Sequence, residues 1–172
     1  STVAGVTIGN AGTVDLDGDV TGATTVTISD VGTEIDLAAG VDITASGGNV
    51  DLNNTVAQID LSGTTDTNTI SASGSVELAN VVDTGTTTAT SPVELVVTAG
   101  TGVTLGTVTL SNTLDVDFDT ATGTSTLNAG SLSAGTIEVD GVGTNDVMNF
   151  GSTVVSTVAG VTIGNAGTVD LD

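Results

Sequence analysis

The side chains in this sequence with chemistry to offer are carboxylates, amides and hydroxyls. Their densest groupings are Asp15, Asp17 and Asp19 in DLDGD, and Asp115, Asp117 and Asp119 in DVDFD. In an extended strand or turn, alternate residues fall on one side of the chain, so each trio presents its carboxylates together. A set made only of oxygens suits Ca2+. Neither trio has the glycine, spacing or terminal Glu of an EF-hand loop, and the nonapeptide of calcium-binding β-rolls is absent. Taken singly, each reads as a solvated acidic face. Taken together they make a stronger case, because 21 Asp and Glu face no Lys, Arg or His. Acids stacked ~4.8 Å apart repel by ~0.9 kcal/mol even at the dielectric of water. Divalent cations, Ca2+ or Mg2+, are the expected counter-charge, and Ca2+ is the one cofactor the sequence suggests.

Other chemistries find less support. Paired carboxylates hydrolyse glycosides, but sugar sites usually stack the ring on aromatic side chains, and Phe118 and Phe150 are the only rings in the chain. Phe118 alternates with Leu114 and Val116, as a core residue would. Without His or Cys there is no imidazole base, thiol nucleophile, soft metal site or disulfide, so no enzymatic activity is expected. Thr25-Val26-Thr27, Thr107-Val108-Thr109 and Thr124-Ser125-Thr126 have the form of ice-binding pairs, but their scattered spacing reads as β-propensity and outer-face solvation. Ala45-Ser46-Gly47-Gly48 has no Lys and reads as a turn rather than a phosphate loop. A formal charge of -21 excludes the basic footprint of a nucleic-acid binder or of a polybasic membrane-surface segment. No apolar run is long enough to insert as a membrane helix.

The elements that would position these groups are legible from repetition. Ser1 to Asp17 and Ser156 to Asp172 are the same seventeen residues, STVAGVTIGNAGTVDLD. The simplest account is a tandem array with a period of 155 residues, as in other repeat proteins. The expected organisation is one full repeat over 1–155 and the start of the next, identical one over 156–172. Neighbouring repeats of the same chain are then the first expected partner. On this reading neither end is a natural terminus.

Within the period a looser unit recurs: apolar, polar, apolar, bounded by Gly, Asn, Ser or Thr. Examples are Val6-Thr7-Ile8, Val14-Asp15-Leu16, Val26-Thr27-Ile28, Ile35-Asp36-Leu37, Val76-Glu77-Leu78, Val103-Thr104-Leu105 and Ile137-Glu138-Val139. Alternation with period two means strands with one dry and one wet face. The strands are short and recur at roughly eight to nine residues, too closely for the longer strands of an immunoglobulin-like sandwich. Their spacing suits a coil in which aliphatic residues stack rung over rung. Roughly eighteen triplets per period give about six coils at three strands each or about nine at two, and ~4.8 Å per rung makes the repeat ~29 to ~43 Å long. Val81 to Pro92 reads as a loop or protruding turn, and Val142 to Val155 as a second weak stretch.

Runs such as GTVDLDGDVTGATTVTI, GVTLGTVTLSNTLDVDF and TSTLNAGSLSAGTIEVDG resemble the β-helical tandem repeats of giant bacterial exoproteins and adhesins of the filamentous haemagglutinin kind. The resemblance implies an all-β fold, a right-handed parallel β-helix or β-solenoid forming part of a tandem-repeat fibre. It also implies export to the cell surface or beyond, and a structural or adhesive role. The expected function is a filament or stalk; the alternative is an adhesive module that binds a glycan or surface receptor. Such exoproteins normally carry some Lys and Arg, and this chain has none.

Overall fold

A computed structural model of the chain describes residues 4–53, 57–62, 66–83, 95–119, 123–141 and 143–172. These residues are all-β, with no helix among them, and wind into a parallel β-solenoid with three strands to the turn. Every pairing between strands is parallel, the geometry a coil imposes when each turn lies on the last.

The first face is an eight-stranded sheet. Its order is β1 (Val6–Ile8), β4 (Val26–Ile28), β7 (Val50–Leu52), β10 (Ser75–Leu78), β13 (Gly102–Leu105), β16 (Thr126–Ala129), β18 (Val147–Phe150) and β20 (Thr168–Leu171). The second face stacks β2 (Ala11–Leu16), β5 (Val31–Leu37), β8 (Gln58–Leu61), β11 (Asn80–Val82) and β14 (Val108–Thr109). The third stacks β3 (Val20–Gly22), β6 (Asp42–Ala45), β9 (Asn68–Ala72), β12 (Leu95–Ala99) and β15 (Thr113–Phe118). Two long strands, β17 (Leu132–Asp140) and β19 (Val154–Gly164), turn the corner between the second and third faces and close the stack on both.

Each face carries an inward ladder. On the first, Val6, Val26, Val50, Val76, Val103, Leu127, Met148 and Val169 lie over one another. On the second, Val14, Ile35, Ile59, Val81, Val108, Leu132 and Val154 do so. On the third, Val20, Ile43, Ile70, Val97, Val116, Val139 and Ile163 complete the triangle. From Val26 to Met148 these residues are almost wholly buried. Fully burying one such side chain stabilises by about 1.5–3 kcal/mol, and the three columns merge into one core.

Phe118 is 2% exposed and ends a column of Ala45, Ala72 and Ala99. Phe150 lies over Ala129. Both rings are core residues, as the alternation predicts for Phe118.

Three strands per coil match the smaller of the two predicted coil counts. The register absorbs wide variation in coil length: twenty residues separate Val6 from Val26, and twenty-seven separate Val76 from Val103. Extra residues leave between strands and do not disturb the ladders.

Two expectations need correction. Of the weak stretch Val142 to Val155, residues 143–155 hold β18 and the start of β19 and so belong to the stack; Met148-Asn149-Phe150 is a full triplet whose inward residues are not β-branched. Val81 and Val82 belong to β11, while residues 84–92 of the expected loop lie outside the described residues.

At the corners, backbone passes over backbone too closely for a side chain. A Cβ on Gly100 would collide with the Ser73 carbonyl oxygen, and one on Gly130 would lie 2.7 Å from the Gly106 carbonyl oxygen. Gly12, in contrast, faces open space. Overpacking of this kind costs about 1–3 kcal/mol, so Gly100→Ala is expected to lower the unfolding free energy by about that much while Gly12→Ala changes it little. Chemical denaturation of the two variants checks this, and equal effects would contradict the assigned close approach.

Candidate functional site

The outward residues of each rung form ladders of their own, and these are the surface on which any chemistry must occur. On the first face Thr7, Thr27, Asp51, Glu77, Thr104, Asn128, Asn149 and Asp170 stack. The amide of Asn149 donates to Asn128 Oδ1 at 2.9 Å. With Thr104, these two asparagines line an open depression of about 280 Å³. A second depression of about 200 Å³ is lined by Thr44, Ser71, Thr98 and Asp119 on the third face, where the Ser71 hydroxyl donates to Thr44 Oγ1 at 3.2 Å. The polar groups lining the first are all neutral, the second carries one carboxylate, Asp119, and neither brings together a convergent catalytic set.

The Thr-x-Thr pairs do not combine into a plane. Thr25 and Thr27 belong to the first face and Thr107 and Thr109 to the second, each pair with a buried valine between.

Acids stack on all three faces, Asp51 against Glu77 on the first. Asp15, Asp36 and Asp60 are successive rungs of the second face. On the third, Asp115 lies under Glu138 and Asp117 under Asp140. Of the sequence-predicted metal ligands, Asp15, Asp17, Asp19 and Asp119 are exposed, whereas Asp115 and Asp117 are half-buried. The carboxylate of Asp19 is engaged by protein: it accepts the Asp42 backbone N–H at 3.0 Å. Asp42 in turn accepts the Thr69 backbone N–H at 3.2 Å, so these acids link one coil to the next at a corner. Among the described residues no three acidic side chains are grouped so as to hold a metal ion. Neither Asp15, Asp17 and Asp19 nor Asp115, Asp117 and Asp119 are brought together as a chelating set. The acids pair along the solenoid axis, between coils, instead of along the strand.

Burial pushes the Asp117 carboxyl above its ordinary value, and the charges of Asp140 and Glu138 push it in the same direction. One oxygen of Asp36 is buried without a hydrogen-bond partner, between Asp15 and Asp60. At Asp117 the outer face therefore carries like-charge contacts with Asp140 and Glu138.

Two polar groups that the sequence reading passed over do structural work. Asp146 is 1% exposed and accepts the backbone N–H of Ser125 at 2.8 Å and of Gly143 at 3.0 Å. Asn68 is fully buried, with its amide donating to the Ala38 and Val41 carbonyls at 2.8 and 3.2 Å. Their signal was a polar residue bordering a triplet, which reads equally well as an ordinary turn residue.

Among the described residues, the strongly apolar surface is the open end of the solenoid. Phe150, Val154, Val161, Ile163 and Leu171 line a hollow of about 220 Å³, and Val161, Val169 and Leu171 are 43%, 44% and 70% exposed. Leu171 has the same sequence context as Leu16, which is paired with Leu37 in the next coil.

Comparison with protein-family models, with curated proteins and with solved structures finds no match.

The Asp117 environment sets a pH dependence. Its pKa is raised in the folded chain, so folding penalises the ionised form. The penalty is present above the raised value and fades as pH falls through that value towards 3.8. Asp117→Asn is expected to stabilise the chain at pH 7 by about 0.2–1 kcal/mol, the worth of one cross-strand charge contact. The gain is expected to shrink towards pH 4. Denaturation curves at the two pH values check the sign, and a variant less stable than the parent at pH 7 would refute it.

Proposed function

We propose that this chain is a length of structural filament or stalk, extracellular or on a cell surface, built by end-on stacking of tandem solenoid repeats. The observation that carries the reading is the uninterrupted aliphatic column. Strand β19 runs on through Val155 and Ser156, with a bulge in its pairing between Ser156 and Gly160, and the second copy of the seventeen-residue segment extends the same core beyond it. A rod of this kind has no hinge at the repeat boundary. Its work is spacing, sheathing or attachment.

Composition supports a life outside the cell. Lys and Arg are absent, so trypsin-like proteases have no cleavage site, and the lack of Cys, Tyr and Trp with a single Met leaves little to oxidise. Uniform negative charge keeps β-rich rods from sticking side by side. The same charge must be screened. The stacked acids on the second and third faces draw divalent cations as mobile counter-ions between coils, a role that needs no chelating trio.

The alternative, an adhesive module, draws on the depression lined by Thr104, Asn128 and Asn149, since amides and hydroxyls are the groups that hydrogen-bond sugar hydroxyls. It places the recognition surface on the first face.

Three measurements separate these readings. Immunogold labelling of intact source cells with antibody to this chain is expected to decorate extended fibres; label confined to the cell interior would refute the filament. A glycan array is expected to show no saturable ligand, and binding lost on Asn128→Ala would favour the adhesive module instead. Removing divalent cations with a chelator is expected to lower Tm by about 2–4 °C, the shift that 1 kcal/mol makes in a chain of this size, and an unchanged Tm would remove the counter-ion role.

A further inference from the structure

The two identical segments do not occupy equivalent places. In the first copy, Val6-Thr7-Ile8 forms β1 on the first face and Val14-Asp15-Leu16 lies in β2 on the second. In the second copy, Val161-Thr162-Ile163 lies in β19 on the third face, over Ile137, Glu138 and Val139. Val169-Asp170-Leu171 lies in β20 on the first face, over Met148, Asn149 and Phe150. The local backbone is nonetheless preserved: the corner residues Asn10 and Asn165 both have left-handed φ, at 57° and 51°. The same corner joins the first face to the second in one copy and the third to the first in the other.

The reason lies in the winding. Six turns carry the chain from Val6 to Met148 on the first-face ladder, and Val161 comes two faces later. One 155-residue period is therefore six turns and two-thirds of another. We propose that, in the tandem array, every repeat enters the stack one face back from its predecessor, so that equivalent residues return to the same face only after three repeats and twenty turns. This rests on the filament reading. At ~4.8 Å per rung a repeat advances ~32 Å and the full superperiod ~96 Å.

The open end is the seat of the next length of the same sequence. Val26-Thr27-Ile28 pairs rung for rung with Val6-Thr7-Ile8, and Ile35-Asp36-Leu37 with Val14-Asp15-Leu16. A further copy of residues 26–37, laid over the second copy of the segment, makes the same pairs with Val161-Thr162-Ile163 and Val169-Asp170-Leu171, and covers the exposed Val161, Val169 and Leu171. Those pairs depend on the residue count of one coil and not on which face carries them, so the offset costs none of them. The consequence is a rod with no privileged side. Each surface feature, including the Asp115–Glu138 and Asp117–Asp140 pairs, is presented on all three faces in turn, and any bend built into one repeat is cancelled over three.

The chain has no cysteine, which makes cross-linking a direct test. Neighbouring rungs lie ~4.8 Å apart, within the Cα spacing a disulfide tolerates. In the present chain Glu138→Cys with Thr162→Cys is expected to cross-link, as is the control pair Asn149→Cys with Asp170→Cys, while Asn149→Cys with Thr162→Cys is not. In a chain of three tandem copies of residues 1–155, Glu138→Cys in one copy and Thr7→Cys in the next are expected to cross-link likewise. Electron microscopy of that chain is expected to show a continuous rod of ~96 Å. Cross-linking of Asn149→Cys to the next copy's Thr7→Cys, in a continuous rod, would overturn the face offset and leave the filament standing. Separate beads with neither cross-link would overturn the filament itself, and the offset with it.

Discussion

The structure depends on one constraint: rung after rung, apolar side chains point into the dry column and the residue between them, usually polar, points out. Backbone hydrogen bonds between parallel strands hold successive coils, but they are the same for any sequence. The alternation decides which way each strand turns. A slip of one residue in any strand would put its Asp or Thr inside and its valines outside, exchanging a gain of several kcal/mol for the cost of a buried carboxylate. That penalty keeps register across coils of different length and lets the number of corner residues vary.

The alternation is also what made the fold legible. Triplets such as Val26-Thr27-Ile28, Val76-Glu77-Leu78 and Val103-Thr104-Leu105 are strands of the first face, as their pattern required. The pattern failed where its vocabulary changed. Met148-Asn149-Phe150 obeys the same rule with unbranched and aromatic residues, and was passed over for that reason. The room available at Ala99 is likewise set by stacking, since Ala45 and Ala72 lie below it. Neither case is visible from single-residue preference, because the space available to a side chain is set by the coils above and below it.

The outer surface was less legible. Alternation along a strand suggested that Asp115, Asp117 and Asp119 would act together, and spacing along the chain is the only distance a sequence contains. In the solenoid the closer neighbour of an outward side chain is the residue one coil on. Asp117 meets Asp140, twenty-three positions away, and Asp115 meets Glu138. Asp19 turned to the Asp42 amide for the same reason. Coil length varies from turn to turn, so these partners cannot be found without the register, and the candidate site is a product of stacking in a way the strands are not.

Face identity was beyond the sequence altogether, and for a physical reason. All three faces impose the same demand, so a segment that satisfies one satisfies the others. Ser1 to Asp17 and Ser156 to Asp172 are identical yet lie on different faces, with Asn10 and Asn165 turning different corners in the same conformation. What fixes the face is the running total of residues lost at corners, a sum over the whole period with no local signature. A solenoid that cares only for the alternation tolerates insertions at its corners, and it keeps no memory of where a repeat began.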